Sequence, residues 1–294
     1  PGDLTPDWRA KHPDVEPARE LVPRRPEPAT QASGRAATTA VRAGRAAIAI
    51  GNPRTRTPER WSWAPLSRIA RLESGHTPSR GRSNYWNGEV QWIGIKDARE
   101  HHGKLIERTS QTITEDGLAN SAARILPAGT VCFSRTASVG YVTVTAAPMA
   151  TSQDFANWVC SDAILPEYLM FALMAEGDDI RHFGEGSTHT TIYYPELKAF
   201  HVCLAPLREQ HEIVRRVRSA LSAVEHEQSL VARQLDRLGR MENSVLAKAF
   251  RGELVSQNPS EEPADAMLTR LRGASPGESD ALARRSSRRT GTAI

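Results

Sequence analysis

Valine or leucine recurs every seven residues at Val217, Val224, Val231, Leu238 and Val245, and Leu221, Leu235 and Ala249 follow three of these four places later. A sustained seven-residue apolar repeat predicts a helix that packs lengthwise on another helix. Pro206 suits its first turn, where the missing N–H would have no partner anyway, and Gly252 suits its C-terminal cap. A helix over 206–251 would run about 70 Å at 1.5 Å per residue. The seam of Val217, Leu221, Val224, Val231, Leu235, Leu238 and Val245 needs a partner, which a second copy of the chain would supply. Gln228 and Glu242 break its inner positions, a pattern that suits an antiparallel pair in one register.

Residues 61–205 carry shorter periods. A short helix is predicted over Ser67–Leu72, followed by a polar turn through Gly75, Pro78 and Gly81. Val90–Ile95 alternates like a strand, and Thr109–Ile113, Gly129–Ser134, Val139–Thr145, Phe155–Val159 and Leu197–Leu204 are further strand candidates. Leu165–Ala175, with Pro166 near its start, reads as a helix, and 184–191 as a Gly/Ser/Thr/His loop. The flanks differ. Residues 1–60 are rich in Pro, Ala, Arg and Thr and read as a disordered tail, with one possible helical piece over Ala36–Ile50. Residues 252–294 read as a helix exit, a short helix over Pro263–Leu271 and a disordered tail. The expected architecture is an α/β (α+β) domain over 61–205, a long coiled-coil-forming helix over 206–251, and disordered termini.

Composition narrows this. The net charge of +4 is unevenly spread: 61–205 holds twelve Lys/Arg against fifteen Asp/Glu, while 1–60 holds eleven against seven and 206–251 nine against six. Bulk charge therefore does not make the domain a nucleic-acid binder, and any such role must rest on local placement. Cys132, Cys160 and Cys203 lie at no metal or redox spacing and suggest no secreted disulfide framework. No apolar run reaches membrane-spanning length and no signal-peptide core is visible, so a cytoplasmic protein is expected. The chain has no Gly-x-x-x-x-Gly-Lys-Ser/Thr phosphate loop, no Gly-rich turn of an S-adenosylmethionine site and no Asn-Pro-Pro-Tyr-like motif. His101-His102 lacks partners at a persuasive metal spacing, and nothing supports Ser152 and His189 as nucleophile and base. No catalytic residue and no metal site are expected.

Gly75-His76-Thr77-Pro78-Ser79, then Tyr85-Trp86-Asn87-Gly88 and Val90-Gln91-Trp92-Ile93, are followed by Pro127–Val131, Ala137–Gly140 and Thr151–Phe155. Gly186-Ser187-Thr188, Leu207-Arg208-Glu209-Gln210 and Phe250-Arg251-Gly252-Glu253-Leu254 come after them. In this order and spacing the chain, over about 61–272, resembles the DNA-specificity subunit of type I restriction–modification systems. Full-length members have two target recognition domains and two long helices that pack antiparallel, whereas this sequence shows one of each. The resemblance therefore implies a half-length form that works as a homodimer, or the remnant of a split gene. It further implies double-stranded DNA, an adenine methyltransferase subunit and a restriction/translocase subunit as partners. S-adenosylmethionine, ATP and Mg²⁺ would belong to those partners and not to this chain. A coiled-coil scaffold without specific DNA contact is the competing class.

DNA recognition needs hydrogen-bonding groups for base edges and cations for phosphates. With the resemblance, the candidates are Thr77, Ser79, Arg80, Arg82, Asn84, Tyr85, Lys96 and Arg99, with Arg135 and Ser138 in a turn of small residues and Ser187, Thr188 and His189 in the Gly-flanked loop. Glu89, Asp97, Glu100 and Glu107 could instead pair with these cations on an ordinary solvated surface. Trp86 and Trp92 could stack on a base, although Trp92 suits the core better.

Overall fold

Phe155–Cys160 (β11) is the second strand of a five-stranded sheet, flanked by the edge strand Ala70–Ser74 (β4) on one side and the central strand Val131–Ser134 (β8) on the other. Val142–Thr145 (β9) and Leu105–Ile106 (β6) complete it, β6 running parallel to β9 and all other pairs antiparallel. Every residue of β8 and β9 is buried, because both faces of the sheet are covered and simple alternation is lost. One face carries Phe133, Trp158 and Leu169, the other Cys132, Phe155, Ile93 and Met149. In this computed structural model residues 2–23, 40–136, 138–184, 190–256, 258 and 260–273 are described, and the chain divides into two units, 1–223 and 224–294.

A three-stranded sheet places Trp86–Ile93 (β5) between Ala150–Thr151 (β10) and Gln111–Ile113 (β7). The third sheet, four-stranded, orders Arg42–Ala43 (β1), Ile48–Ile50 (β2), Phe200–Leu204 (β12) and Ser62–Pro65 (β3), all antiparallel. Leu66–Ile69 forms a short helix, α3, cut at Ala70 because the following residues pair with β11. Ile95–Glu100 (α4) and Glu115–Ala119 (α5), two short helices, connect strands, and Pro166–Ala175 (α6) packs on the main sheet. Leu197, expected in a strand, lies in the helix Tyr194–Lys198 (α7), and the strand begins at Phe200.

The sequence expectation fails most clearly before residue 61. Residues 42–50 are two strands and not a helix, and Ile48, Ala49 and Ile50 are fully buried. Their partner is β12, some 150 residues onward, so no local window contains the reason for their order. The turn between the strands closes on a carboxylate: buried Glu176 accepts from the backbone N–H groups of Arg45, Ala46, Ala47 and Ile48. That supplies the partner a buried carboxylate requires. Pro6–Lys11 (α1) and Ala18–Leu21 (α2), two further helical pieces, also belong to the first unit. The boundary at 60/61 therefore falls inside the fold, while 24–39 and 274–294 lie outside the described residues.

The long helix, α8, runs Leu207–Phe250. Its first turn explains the Glu209-Gln210 pair. Both side chains are fully buried. The Glu209 carboxylate accepts from Thr5 Oγ1 at 2.7 Å, Arg9 Nη1 at 2.8 Å and Trp61 Nε1 at 2.7 Å. Gln210 Nε2 donates to the carbonyls of Ala163 and Ala205, and its Oε1 accepts from the Leu165 N–H at 2.9 Å. Arg216 reaches Asp7 at 2.7 Å and Glu212 at 2.6 Å. In the second unit the helix ends as expected: Gly252 takes a φ of 72°, and the Glu253 N–H caps the Lys248 carbonyl. A short helix, α9, follows at Ala264–Gly273. Among the described residues no helix is long and apolar enough to cross a membrane.

Candidate nucleic-acid interface

Gly75 sets the geometry of the region that the polar turn predicts. A Cβ there would collide with the Thr151 hydroxyl and the Thr151 and Ser152 backbone, so only glycine lets the segment after β4 pass against β10. The His76 N–H then donates to the Thr151 carbonyl at 2.9 Å. This crossing brings 77–80, the start of α4, the start of β7 and 152–154 around one open cleft of about 660 Å³. Thr77, Arg80 and Lys96, three of the sequence candidates, line it with Gln111, Gln153 and Asp154.

The Arg80 guanidinium lies over the Trp86 ring at 4.4 Å and the Trp92 ring at 5.4 Å, and Nη2 donates to Gln111 Oε1 at 3.2 Å. The two indoles meet edge to face at 5.2 Å. Their N–H groups are satisfied by backbone, Trp86 on the Ser79 carbonyl and Trp92 on the His76 carbonyl. Trp92 is buried as expected, while Trp86 is half-buried beneath the arginine. Across the cleft, the Thr77 hydroxyl donates to Gln153 Oε1. Arg135 Nη2 holds the Gln153 carbonyl at 3.1 Å, and its guanidinium sits 4.9 Å from the Tyr194 ring centre. Asp97 is buried under the floor, its carboxylate accepting from the N–H groups of Gly94 at 2.9 Å and Ser110 at 2.6 Å. It shapes the start of α4 and does not pair with the cleft cations. Lys96 lies 3.9 Å from Glu100.

Other candidates fall elsewhere. Ser79 is exposed beside Arg80, and Arg82 and Asn84 are exposed on the turn before β5. Tyr85 is buried and presents no ring for stacking; Arg82 lies 5.7 Å from it. Arg99 projects from the end of α4 toward Tyr141, 5.8 Å from its ring centre. The Ser138 carbonyl accepts from the buried Ser134 hydroxyl at 2.6 Å, a turn contact. Ser187, Thr188 and His189 lie outside the described residues. Gln111, Ser152, Gln153 and Asp154 line the cleft and were not among the candidates. Gln111 opens a strand of only three residues, and its signal is the arginine it holds, visible only in three dimensions.

His102 accepts the Val142 N–H at Nδ1, 3.1 Å away, and burial lowers its pKa, so it sits as a neutral structural imidazole. Burial pushes the Cys160 and Cys203 thiols up to about 12, which leaves them as packing groups. Among the described residues no group of His, Cys, Asp or Glu is arranged to hold a metal. Of the seam, Val217 is half-buried at the domain, whereas Leu221, Val224, Val231, Leu235, Leu238 and Val245 are exposed.

A mixed α/β domain with a polar, cation-bearing cleft, followed by a long helix, defines a binding module. Residues 58–232 match the type I restriction modification DNA specificity domain, and the chain belongs to that family. It is 32% identical over 143 residues to the type I restriction enzyme MjaIX specificity subunit of Methanocaldococcus jannaschii, a match covering 48% of this chain and 32% of that protein. It is 25% identical over 159 residues to the EcoR124I/EcoR124II specificity subunit of Escherichia coli, covering 52% and 39% respectively. The chain thus spans about a third of the length of the curated relatives it matches. In fold it is similar to the HsdS subunit from Thermoanaerobacter tengcongensis, at a TM-score of 0.50 and 22% identity over 69% of this chain and 48% of that one. It is also similar to a chain solved in a study of complex assembly and conformational transition of the type I R-M system, at a TM-score of 0.55 and 21% identity over 70% and 49%.

Proposed function

We propose that this chain reads one half of a bipartite double-stranded DNA target for a type I restriction–modification complex. The carrying observation is the cleft: Arg80 and Lys96, with the amides of Gln111 and Gln153, gather on one open surface of a domain whose overall charge is acidic. Cations there serve phosphates or base edges, and amides address base edges. The chain performs no chemistry itself. An adenine methyltransferase subunit and a restriction/translocase subunit bind beside it in the cytoplasm and carry S-adenosylmethionine, ATP and Mg²⁺. The exposed Val/Leu seam of α8 pairs with a second helix, supplied by another copy of this chain, and the helix length fixes the gap between the two half-sites.

Sequencing the methylome of cells with and without this gene tests the reading. One bipartite adenine-methylated motif should vanish with the gene. Exchanging the first unit, residues 1–223, for the corresponding region of another family member should change that motif and leave the rate of methyl transfer per bound site nearly unchanged. An identical methylome in all strains would overturn the proposal and favour a scaffold.

A further inference from the structure

Arg80 differs from the other cations of the cleft. Lys96 lies near Glu100, whereas Arg80 pairs with no carboxylate among the described residues and is fixed by neutral groups alone. Its guanidinium is lodged against the rings of Trp86 and Trp92, and one N–H is used by Gln111. Both indoles are themselves pinned by hydrogen bonds to the chain of 76–79. An exposed arginine ordinarily loses much rotamer freedom when it is ordered. Here the ordering is done before any ligand arrives. A phosphate contact needs only a cation within reach, and a mobile lysine serves. A planar guanidinium held in place suits an acceptor pair of fixed spacing, such as O6 and N7 of guanine in the major groove.

We propose that Arg80 is a base-reading residue specific for guanine, with Trp86 and Gln111 as its positioning residues. The inference rests on the DNA-recognition reading above. Selection from a random duplex library by the full chain, wild type and variant, tests it. Wild type should select a motif that contains a guanine whose preference is lost, about tenfold or more, in Arg80→Ala, with the other positions kept. Arg80→Lys should fail like Arg80→Ala, since it restores charge without the two-pronged fork. Replacing the guanine by 7-deazaguanine should weaken wild type about tenfold and Arg80→Ala hardly at all. Gln111→Ala, which disturbs no packed core, should weaken the same position several-fold and no other. An unchanged motif in Arg80→Ala, or full recovery by Arg80→Lys, overturns this assignment while leaving DNA recognition intact. A wild-type chain that selects no motif overturns both.

Discussion

The two parts of α8 obey opposite rules. At its start, Glu209 and Gln210 are polar residues with no exposure, and each finds partners on several other elements. From Val224 onward the apolar residues are exposed, Val231 at 56% and Leu238 at 60%. Polar groups can be buried where the chain itself satisfies them, and apolar groups remain outside where burial awaits another molecule. The first region fastens the helix to its domain, and the second carries an uncovered apolar seam.

Substitutions should separate the two. Glu209→Ala leaves Trp61 Nε1, the Thr5 hydroxyl and Arg9 without their acceptor, and should cost about 3–5 kcal/mol in urea unfolding of the first unit. A loss below about 1 kcal/mol would mean that water replaces the carboxylate and that the anchor is weaker than its geometry. Gln210→Ala strands the Leu165 N–H and the Ala163 and Ala205 carbonyls, for an expected cost of about 2–3 kcal/mol by the same measurement. Val231→Glu should change that unfolding by under about 0.5 kcal/mol, because the side chain is exposed. It should instead abolish self-association in light scattering, since pairing would bury an unmatched charge. Dimers that survive this substitution would move the contact off the seam.

The smallest effect concerns pH. Arg216 holds the Asp7 carboxyl down to about 2, and Arg215 and Arg216 hold Glu212 down to about 2. Depressed carboxylates contribute stability that is present above their ordinary range near 4 and is lost as pH falls toward 2. Asp7 is exposed and solvent-screened, so its slope should be shallow. Asp7→Asn should lower Tm slightly at pH 6, by an amount that shrinks as pH falls toward 2. A difference that grows on acidification would assign the opposite sign.

How much was legible depended on the range over which the cause acts. The α8 repeat, β8 and β11, and the Leu165–Ala175 helix show their period within a single window, and they stand where the sequence predicts. Ile48-Ala49-Ile50 is too short to stand out from its Ala/Arg surroundings, and its order comes from β12. In the cleft, Thr77 and Arg80 were legible as polar-turn residues and Lys96 as a cation close by in the sequence. Tyr85 was misplaced because a tyrosine among arginines reads as surface, whereas here it is buried. Gln111 and Gln153 were invisible because their meaning lies in Arg80 and Thr77, to which they bond across the cleft.

The hairpin over 42–50 has a further consequence, one of timing. Its carboxylate partner is Glu176 and its strand partner is β12, so neither is available when those residues leave the ribosome. At about 5–20 residues per second the wait is on the order of 10–30 s. During that interval a short apolar edge with unpaired backbone groups is open to other chains, and closing so distant a contact is intrinsically slow. Co-translational maturation of this protein should therefore be gated by synthesis of 200–204, and nascent chains stopped short of that point should be the species that chaperones retain.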